Sequence, residues 1–518
     1  MTSRAAVCAA RVVASVAVAG ATRAAVRRAT GLGTGCLVGA ADNTDGQRLF
    51  CGVGLRPATA DGRADWKGGV VVEFVRTSTP VGTEPIPSAA LLLLRAAACG
   101  GRDEHWSLGR LGSLYTGLAT GVAFTAAWAG SAAAPTGVLA VVPALLPLAD
   151  RNFSRFFIST YSEPAGLLGT VSFVSGTAVL AVTRPEDVLV RVVGLLLTGG
   201  GGLLAATAKN ALTPVLLVAA GQCAYRNGRL GASVALGTLA AAAWPVLAAH
   251  RWQTRHCGAV NSHNLVFTLL LPEAGPDAAT AVGLPLAATA FSGRGASDAN
   301  GRPIDPDLIP GWQEAIGTRP HRAMRDAWAQ LARRPRVLTR VVGNGLRATL
   351  GRSVDYLPSH ALPPGVAQPR TVVATPSMGH DVDALRGWLA DLPAPWRPAA
   401  IVTLSLAAPV AVRILGGKLD GVLSSGRGGV LGGRADRTLC GGGFGEPAGL
   451  ATAAARVAAV SAIGALGLVA LAVLGDGYYE ITKHVWPAAY LLDVATGALG
   501  MAAADAVAAA ISRRCGHG

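Results

Sequence analysis

The sequence predicts an all-α, polytopic membrane protein with about ten transmembrane helices, an acidic first extracytoplasmic loop and a small extracytoplasmic domain. Three observations carry that reading. Hydrophobic residues fill 51 % of the 518 positions and charged residues only 14 %, against about 25 % charge in soluble domains. Apolar runs of roughly 17–25 residues, the length a helix needs to cross a bilayer, recur along the chain. Arginines flank many of those runs, as membrane anchors do. The net charge of +15 therefore does not point to nucleic acid: the arginines are scattered and no aromatic-basic module accompanies them. Ala and Gly are abundant. A coding bias explains most of that abundance, and small residues also let membrane helices approach closely.

In chain order, the first span is about 4–22, interrupted by Arg11. A cleaved signal peptide is the alternative there, but no small-x-small cleavage site stands out, so a retained helix is expected. Spans follow at about 108–129, 132–149, 164–183, 188–207, 211–225 and 231–250. After a long polar interval come about 398–416, 450–474 and 485–511. The run 188–207 carries Arg191 and four consecutive glycines, 199–202, which makes it the weakest of the ten. No internal repeat is present.

Basic residues in short loops set the orientation. With the N-terminus inside, the inside segments hold Arg184, Arg226, Arg229, Lys418, Arg427, Arg434, Arg437, Arg513 and Arg514. The two longest segments, 23–107 and 251–397, then lie outside. This divides the chain into an N-terminal transmembrane module, 1–250, an extracytoplasmic domain, 251–397, and a C-terminal transmembrane module, 398–518. Within the first long loop, "SAALLLLRAAAC" reads as a helix, either at the membrane interface or in a small core. Within the second, "RAMRDAWAQLARRP" is a short helical pattern.

Four polar clusters share the outer face. "GAADNTDGQRLFCGVGL", 39–55, carries Asp42, Asn43, Asp45 and Arg48. "DRNFSRFFISTYSEPAG", 150–166, carries Arg151, Arg155, Tyr161 and Glu163. "TAKNALTP", 207–214, places Lys209 between two apolar runs. "GDGYYEITKHVW", 475–486, carries Asp476, Glu480, Lys483 and His484. Arg151 or Lys209 alone reads as a membrane-boundary anchor, and either aspartate alone could cap a turn. Lys483 and His484 follow Glu480 by three and four residues and would share its helical face, and polar groups at a bilayer edge are usually paired or functional.

Together the clusters bring carboxylates and cations to one membrane face. A carboxylate within hydrogen-bond reach can activate a sugar hydroxyl. Arg, Lys or His can stabilise the charge that grows on a phosphate leaving group. A lipid-borne phosphate would sit at this depth, so the combination suggests sugar transfer from a polyprenyl-phosphate donor.

With these residues in this order, the chain resembles the multispanning GT-C glycosyltransferase superfamily. More narrowly, it looks like the glycan-biosynthesis hexose transferase-like membrane proteins of actinobacteria. The resemblance runs through "GAADNTDGQRLFCGVGL", "RNFSRFFISTYSEPAGLLG", the Lys209 turn, "NSHNLVFTLLLPEAGPDAATAVGLP" and "GDGYYEITKHVWPAAYLLD". It implies a catalytic base at Asp42 or Asp45, with Asn43 and Arg48 positioning that loop, and Glu163 as a second acidic residue. It makes Arg151, Arg155, Lys209, Lys483 and His484 candidates for the donor phosphate. Tyr161, Asn264, Asp476 and Glu480 become substrate-positioning candidates.

The implied partners are a polyprenyl-phosphate sugar donor, a glycan acceptor and membrane lipid, with no nucleic acid. The implied location is the cell membrane, with the site facing the extracytoplasmic side. No cofactor is called for, no zinc-type spacing is present, and assistance by a divalent metal stays open. The glycine runs 199–202 and 426–433 lack the Gly-Lys-Ser/Thr ending of a phosphate loop. Cys36 and Cys51 bracket the acidic loop on the outer side, where a disulfide could form. A transporter or lipid flippase is the main rival function, and would show repeated halves with broken helices. A noncatalytic scaffold for envelope assembly is the third.

Overall fold

The computed structural model describes residues 2–34, 37, 44–58, 71–77, 84–99, 104–184, 186–296, 303–351, 394–425 and 449–515. The chain is a mostly helical, multi-pass membrane protein. Among the described residues, seven helices are long and apolar enough to cross a bilayer: Ala5–Thr30, Glu163–Val182, Val188–Ala208, Gly228–Ala274, Arg397–Ile414, Leu450–Asp476 and Trp486–Ser512. Seven of the ten spans read from sequence thus meet that length and composition among the described residues. Helix α4 (Leu108–Ala133) has the length, but Thr, Gly, Tyr and Trp lower its apolarity. The run 132–149 is split into a nine-residue α5 (Gly137–Leu145) and a 3₁₀ turn, Leu146–Ala149. Helix α9 (Thr213–Ala224) has only 12 residues.

Several helices outrun their apolar cores. Helix α1 (Thr2–Thr30) continues eight residues past the expected end at 22. Arg23, Arg27 and Arg28 are good helix formers and nothing breaks the chain before Gly31, whose φ is +71°. Helix α10 (Gly228–Asn264) passes the expected end at 250, runs through a π-helical stretch, Leu265–Leu270, and ends as α11 (Leu271–Ala274) at Gly275. Helix α15 (Arg397–Ser425) also passes 416. The weak span is intact as α8 (Val188–Ala208), glycines included.

Those glycines have a packing role. Helix α7 (Glu163–Val182) is buried along its whole length and lies antiparallel to α8. A Cβ on Gly169 would come within 2.5 Å of Ala205 N, and one on Gly176 within 2.6 Å of the Thr198 hydroxyl. The two backbones therefore touch without side-chain spacers, the small-residue packing that drives helix association in lipid. Helix α16 (Leu450–Asp476) runs antiparallel to α18 (Trp486–Cys515). Gly464 meets Leu491 near one end, and Ala451 N donates to Asp505 Oδ2 at the other, 2.9 Å.

This antiparallel order puts the N-terminus of α7, the C-termini of α8 and α16 and the N-terminus of α18 at one end of the bundle. The shorter elements outside the long helices gather at that end. A three-stranded antiparallel sheet, β1 (Leu55–Pro57), β2 (Glu73–Arg76) and β3 (His105–Ser107), departs from the all-α expectation. Its register pairs Pro57 with Phe74 and Phe74 with Trp106. Phe74 and Trp106 are fully buried, with rings 5.6 Å apart. Helix α2 (Thr44–Phe50) adds Phe50 against Phe74 at 5.3 Å.

Helix α3 (Ala89–Ala98), N-capped by Ser88, buries Ala90, Leu94 and Ala98 at helical spacing. It is tied to the bundle by Ser88 Oγ, which donates to Ala208 O at 2.6 Å. This is the small-core reading of "SAALLLLRAAAC", although Leu92 stays exposed.

On the other flank, short turns including α6 (Arg151–Ser154) and α12 (Asp277–Ala281) precede α13 (Pro320–Ala332) and α14 (Pro335–Ala348). Helix α13 buries Ala323, Ala327 and Leu331, one face at i, i+4, i+8. Both helices rest on the bundle. Ser262 Oγ donates to Pro320 O at 2.9 Å, Trp328 Nε1 donates to Leu474 O at 2.7 Å, and Gly345 sits against Val469.

Candidate functional site

The stretch 150–162 enters the capped end as a buried loop. Asp150 caps α6 by accepting from Asn152 N at 2.8 Å. Phe153, Phe156, Phe157 and Ile158 are fully buried. Buried loop backbone needs partners, and local hydroxyls supply some: Ser154 Oγ donates to Leu148 O, and Ser159 Oγ to Phe156 O at 3.0 Å. Three aromatic contacts pin the loop: Phe157 on Tyr115 at 5.5 Å, Phe153 on Tyr490 at 5.4 Å and Phe156 on Trp486 at 4.5 Å.

The loop delivers Glu163 to the first turn of α7, with Pro164 next to it starting the helix. The Glu163 side chain is only 4 % exposed and its Oε1 lies 2.6 Å from Lys209 Nζ. Ser162 Oγ donates to Oε2 at 3.1 Å. Lys209 stands where the chain breaks between α8 and α9, in extended conformation. The glycine seam between α7 and α8 is what brings these two residues, remote in sequence, into register. Tyr161 and Arg155 are buried in the same loop, whereas Arg151 is exposed.

The second half of the site is the turn between α16 and α18. Gly477 carries φ +63°, and a Cβ there would meet Thr268 Oγ1 at 2.5 Å and Asn264 O at 2.7 Å; only glycine fits. Glu480 holds a left-handed backbone, φ 47°, a conformation that costs a non-glycine residue energy and concentrates at functional sites. Its carboxylate accepts from Lys483 Nζ at 2.9 Å, with both side chains buried. Only Lys483 lies on the short helix that follows, α17 (Ile481–His484); Glu480 is its N-cap residue, so the two do not share a helical face as their spacing suggested. His484 Nε2 lies 3.1 Å from Asp476 Oδ2. Asn264 clamps this turn, donating to Asp476 Oδ1 at 2.8 Å and accepting from Ala296 N at 2.8 Å.

Two groups here escape a reading by motif. Glu273, buried in α11, accepts from the Tyr478 hydroxyl at 3.1 Å and lies 3.5 Å from Arg340. Asn344 donates to the same hydroxyl at 2.9 Å. His263 accepts from Trp312 Nε1 through Nδ1 at 3.0 Å, so its Nε2 carries the proton and donates to Arg294 O at 3.1 Å. The signal for Glu273 was a lone carboxylate at the end of "LVFTLLLPEA", and for His263 a histidine inside a helix that had been ended at 250.

The Phe156–Trp486 contact joins the two halves, so the structure brings the "YSEPA" loop and the "GDGYYEITKHVW" turn together. The acidic opening cluster is described only in part. Asp42 and Asn43 lie outside the described residues, and Asp45 is placed as backbone of α2's first turn. Arg48 stacks over the Trp252 ring of α10 at 5.5 Å, and its carbonyl accepts from Ile86 N at 3.2 Å, which ties α2 to the segment before α3. Cys51 is a free, buried thiol; its expected partner Cys36 lies outside the described residues. Among the described residues no group of three His, Cys, Asp or Glu side chains could hold a metal ion.

Fold and site together define a polytopic membrane protein whose polar groups are gathered as carboxylate–cation pairs under a cap at one end. Residues 32–251 match the family model described as the YfdI N-terminal transmembrane domain. That match takes in the Arg48 helix, the 150–163 loop and Lys209, and stops short of Asn264 and the 475–486 turn. No curated protein and no solved structure matches the chain.

Proposed function

We propose that this protein is an integral-membrane glycosyltransferase with a GT-C-like fold. It transfers a sugar from a polyprenyl-phosphate donor to a cell-envelope glycan or lipid-linked acceptor at the outer membrane face. The observation that carries this reading is the buried Glu163–Lys209 pair, 2.6 Å, lying at the same bundle end as Glu480–Lys483 and Asp476–His484. Carboxylates and cations gathered at the depth of a lipid phosphate are the two kinds of group the reaction needs.

In the proposed reaction the acceptor hydroxyl oxygen attacks the anomeric carbon as the bond from that carbon to the donor phosphate oxygen breaks. The sugar configuration inverts, the polyprenyl phosphate leaves, and the hydroxyl proton passes to a carboxylate. Asp42 or Asp45 is that base, with Asn43 and Arg48 positioning its loop and Glu163 orienting the acceptor. Arg151, Arg155, Lys209, Lys483 and His484 face the departing phosphate. Lys209, Lys483 and His484 each already sit beside a carboxylate, so they are held in place before substrate arrives, which is how preorganised charge lowers a barrier.

The test is transfer of labelled sugar from a polyprenyl-phosphate donor by purified protein in lipid. D42N, D45N and E163Q are compared with wild type, and loss of a general base costs about 10²–10⁴-fold in rate. Wild-type turnover in all three single variants and in the triple variant would remove these residues from the chemistry. Binding of donor without any transfer by the wild type would favour a flippase or scaffold.

A further inference from the structure

A groove of about 510 Å³ opens between the last turns of α16, the start of α9 and the pair α13–α14. Pro214, Trp328, Leu331, Leu338, Leu471 and Leu474 line it with alanine and glycine, and no charged or amide side chain contributes. The single polar group in the lining, the Trp328 indole N–H, is occupied by Leu474 O. Trp328 and Leu471 are each about two-fifths exposed. On a membrane protein, at the end of a span, such a surface faces acyl chains and the headgroup boundary. The volume falls within the roughly 300–1,000 Å³ of small-molecule sites.

The turn that adjoins this groove is cationic. Leu331 and Leu338 flank the α13–α14 turn, which reads Arg333-Arg334-Pro335-Arg336. Arg333 and Arg336 are exposed. Arg334 Nη1 is buried and has no hydrogen-bond partner among the described residues. A buried guanidinium nitrogen left without an acceptor is costly, and Arg forks match phosphate oxygens. The turn also presents the N-terminus of α14, whose free N–H groups favour an anion.

We propose that this groove and the adjoining arginine turn form a binding site for an anionic diacyl phospholipid, with a chain in the groove and the phosphate on Arg333, Arg334 and Arg336. The site is separate from Glu163, Lys209 and the 475–486 turn, and it does not rest on the glycosyltransferase reading. Charge complementarity selects an anionic headgroup over a zwitterionic one. The groove, which holds a hydrocarbon chain, selects a lipid over a free phosphate.

Native mass spectrometry of the detergent-purified full chain tests it, with phosphatidylglycerol and phosphatidylcholine as probes. Wild type should retain one phosphatidylglycerol in preference to phosphatidylcholine. A juxtamembrane Arg near an anionic headgroup is worth about fivefold in affinity, so R334Q should bind about fivefold more weakly and the R333Q/R334Q/R336Q variant about a hundredfold. A470L, which fills the groove without touching the arginines, should also lose the lipid. Each variant is checked for an unchanged size-exclusion profile and helical content; if one unfolds, R333Q/R336Q, both exposed positions, takes its place. Equal retention of the two lipids, wild-type retention by the triple variant or by A470L, or displacement of phosphatidylglycerol by equimolar polyprenyl phosphate would each overturn the proposal.

Discussion

The Phe156 and Trp486 rings meet at a tilt of 36° with centroids 4.5 Å apart, and both residues are buried. One precedes α7 and the other opens α18, so this contact fastens the two halves of the polar site. In lipid the gain comes from packing more than from removal of water. Truncating a fully packed aromatic residue costs about 3–5 kcal/mol, so W486A and F156A should each destabilise the fold by that order. The pair should show a coupling of about 0.5–1.5 kcal/mol in a double-mutant cycle. Unfolding in mixed detergent measures both, and strictly additive losses would mean that the rings do not support one another.

The Glu163–Lys209 pair makes a sharper prediction about sign. Removing one member of a buried ion pair leaves an uncompensated charge, at about 3–5 kcal/mol when both are sequestered. The Lys209 side chain is 26 % exposed, so water screens part of that loss, and K209M should cost about 1–3 kcal/mol. The double variant E163Q/K209M should be more stable than K209M alone. Thermal denaturation in detergent decides this; a double variant no better than K209M would show that Glu163 is not the source of the penalty.

G477A tests how the second half of the site is seated. An added methyl would meet Thr268 Oγ1 and Asn264 O at 2.5 and 2.7 Å in a backbone conformation that L-residues avoid. Strain of about 1–3 kcal/mol is expected, together with displacement of Asp476 and Glu480. Hydrogen exchange over 475–486 should rise relative to 450–470. Uniform protection across both stretches would contradict the close approach.

Orientation is open to direct labelling. Ser297, an obvious position for an introduced thiol, lies outside the described residues, but Ala287 is exposed in the same long segment. A287C in a cysteine-free background should react with an impermeant maleimide in intact cells. Reaction only after permeabilisation would turn the whole arrangement over.

Cys51 should behave oppositely to such a surface thiol. Burial raises its pKa, and a hydrogen bond with the Gln47 side chain only partly offsets the effect. The thiolate is the reactive form. Labelling of Cys51 should therefore be slow at neutral pH and keep accelerating at a pH where an exposed thiol has already levelled off. A rate profile that overlays that of A287C would contradict the burial.

Much of this arrangement is written in the sequence as apolar runs, and the misreadings have physical causes. The seven spans announce themselves because apolar residues dominate them for a bilayer's depth, with at most isolated charges such as Arg11 and Arg191. The ends of α1 and α10 do not, because Arg and Gln are good helix formers and His is tolerated, and hydropathy marks where lipid stops rather than where hydrogen bonding stops. The small sheet was not legible: Glu73, Phe74, Val75 and Arg76 read polar, apolar, apolar, polar, with none of the period-two alternation that marks a half-buried strand. The Glu480–Lys483 pair follows from spacing alone. The Glu163–Lys209 pair does not: it depends on glycines 169 and 201 closing a seam, and no one-dimensional pattern encodes which helices will touch.

Helix α10 and its continuation form one 47-residue helical run, about 70 Å at 1.5 Å per residue, whereas the hydrocarbon slab is about 30 Å thick. The waterline therefore crosses this rod somewhere along an unbroken backbone instead of at a loop. Nothing in the rod's own hydrogen bonding fixes that level. Its draught is set by side chains: exposed Trp244, with Arg251 stacked 6.0 Å above its ring, and Trp252, held under Arg48. A thicker or thinner bilayer would slide its boundary along this stretch without bending it, and Asn264, which grips Asp476 just before the π-helical stretch, would keep its height above the membrane only as well as those few rings and guanidinium groups hold it there.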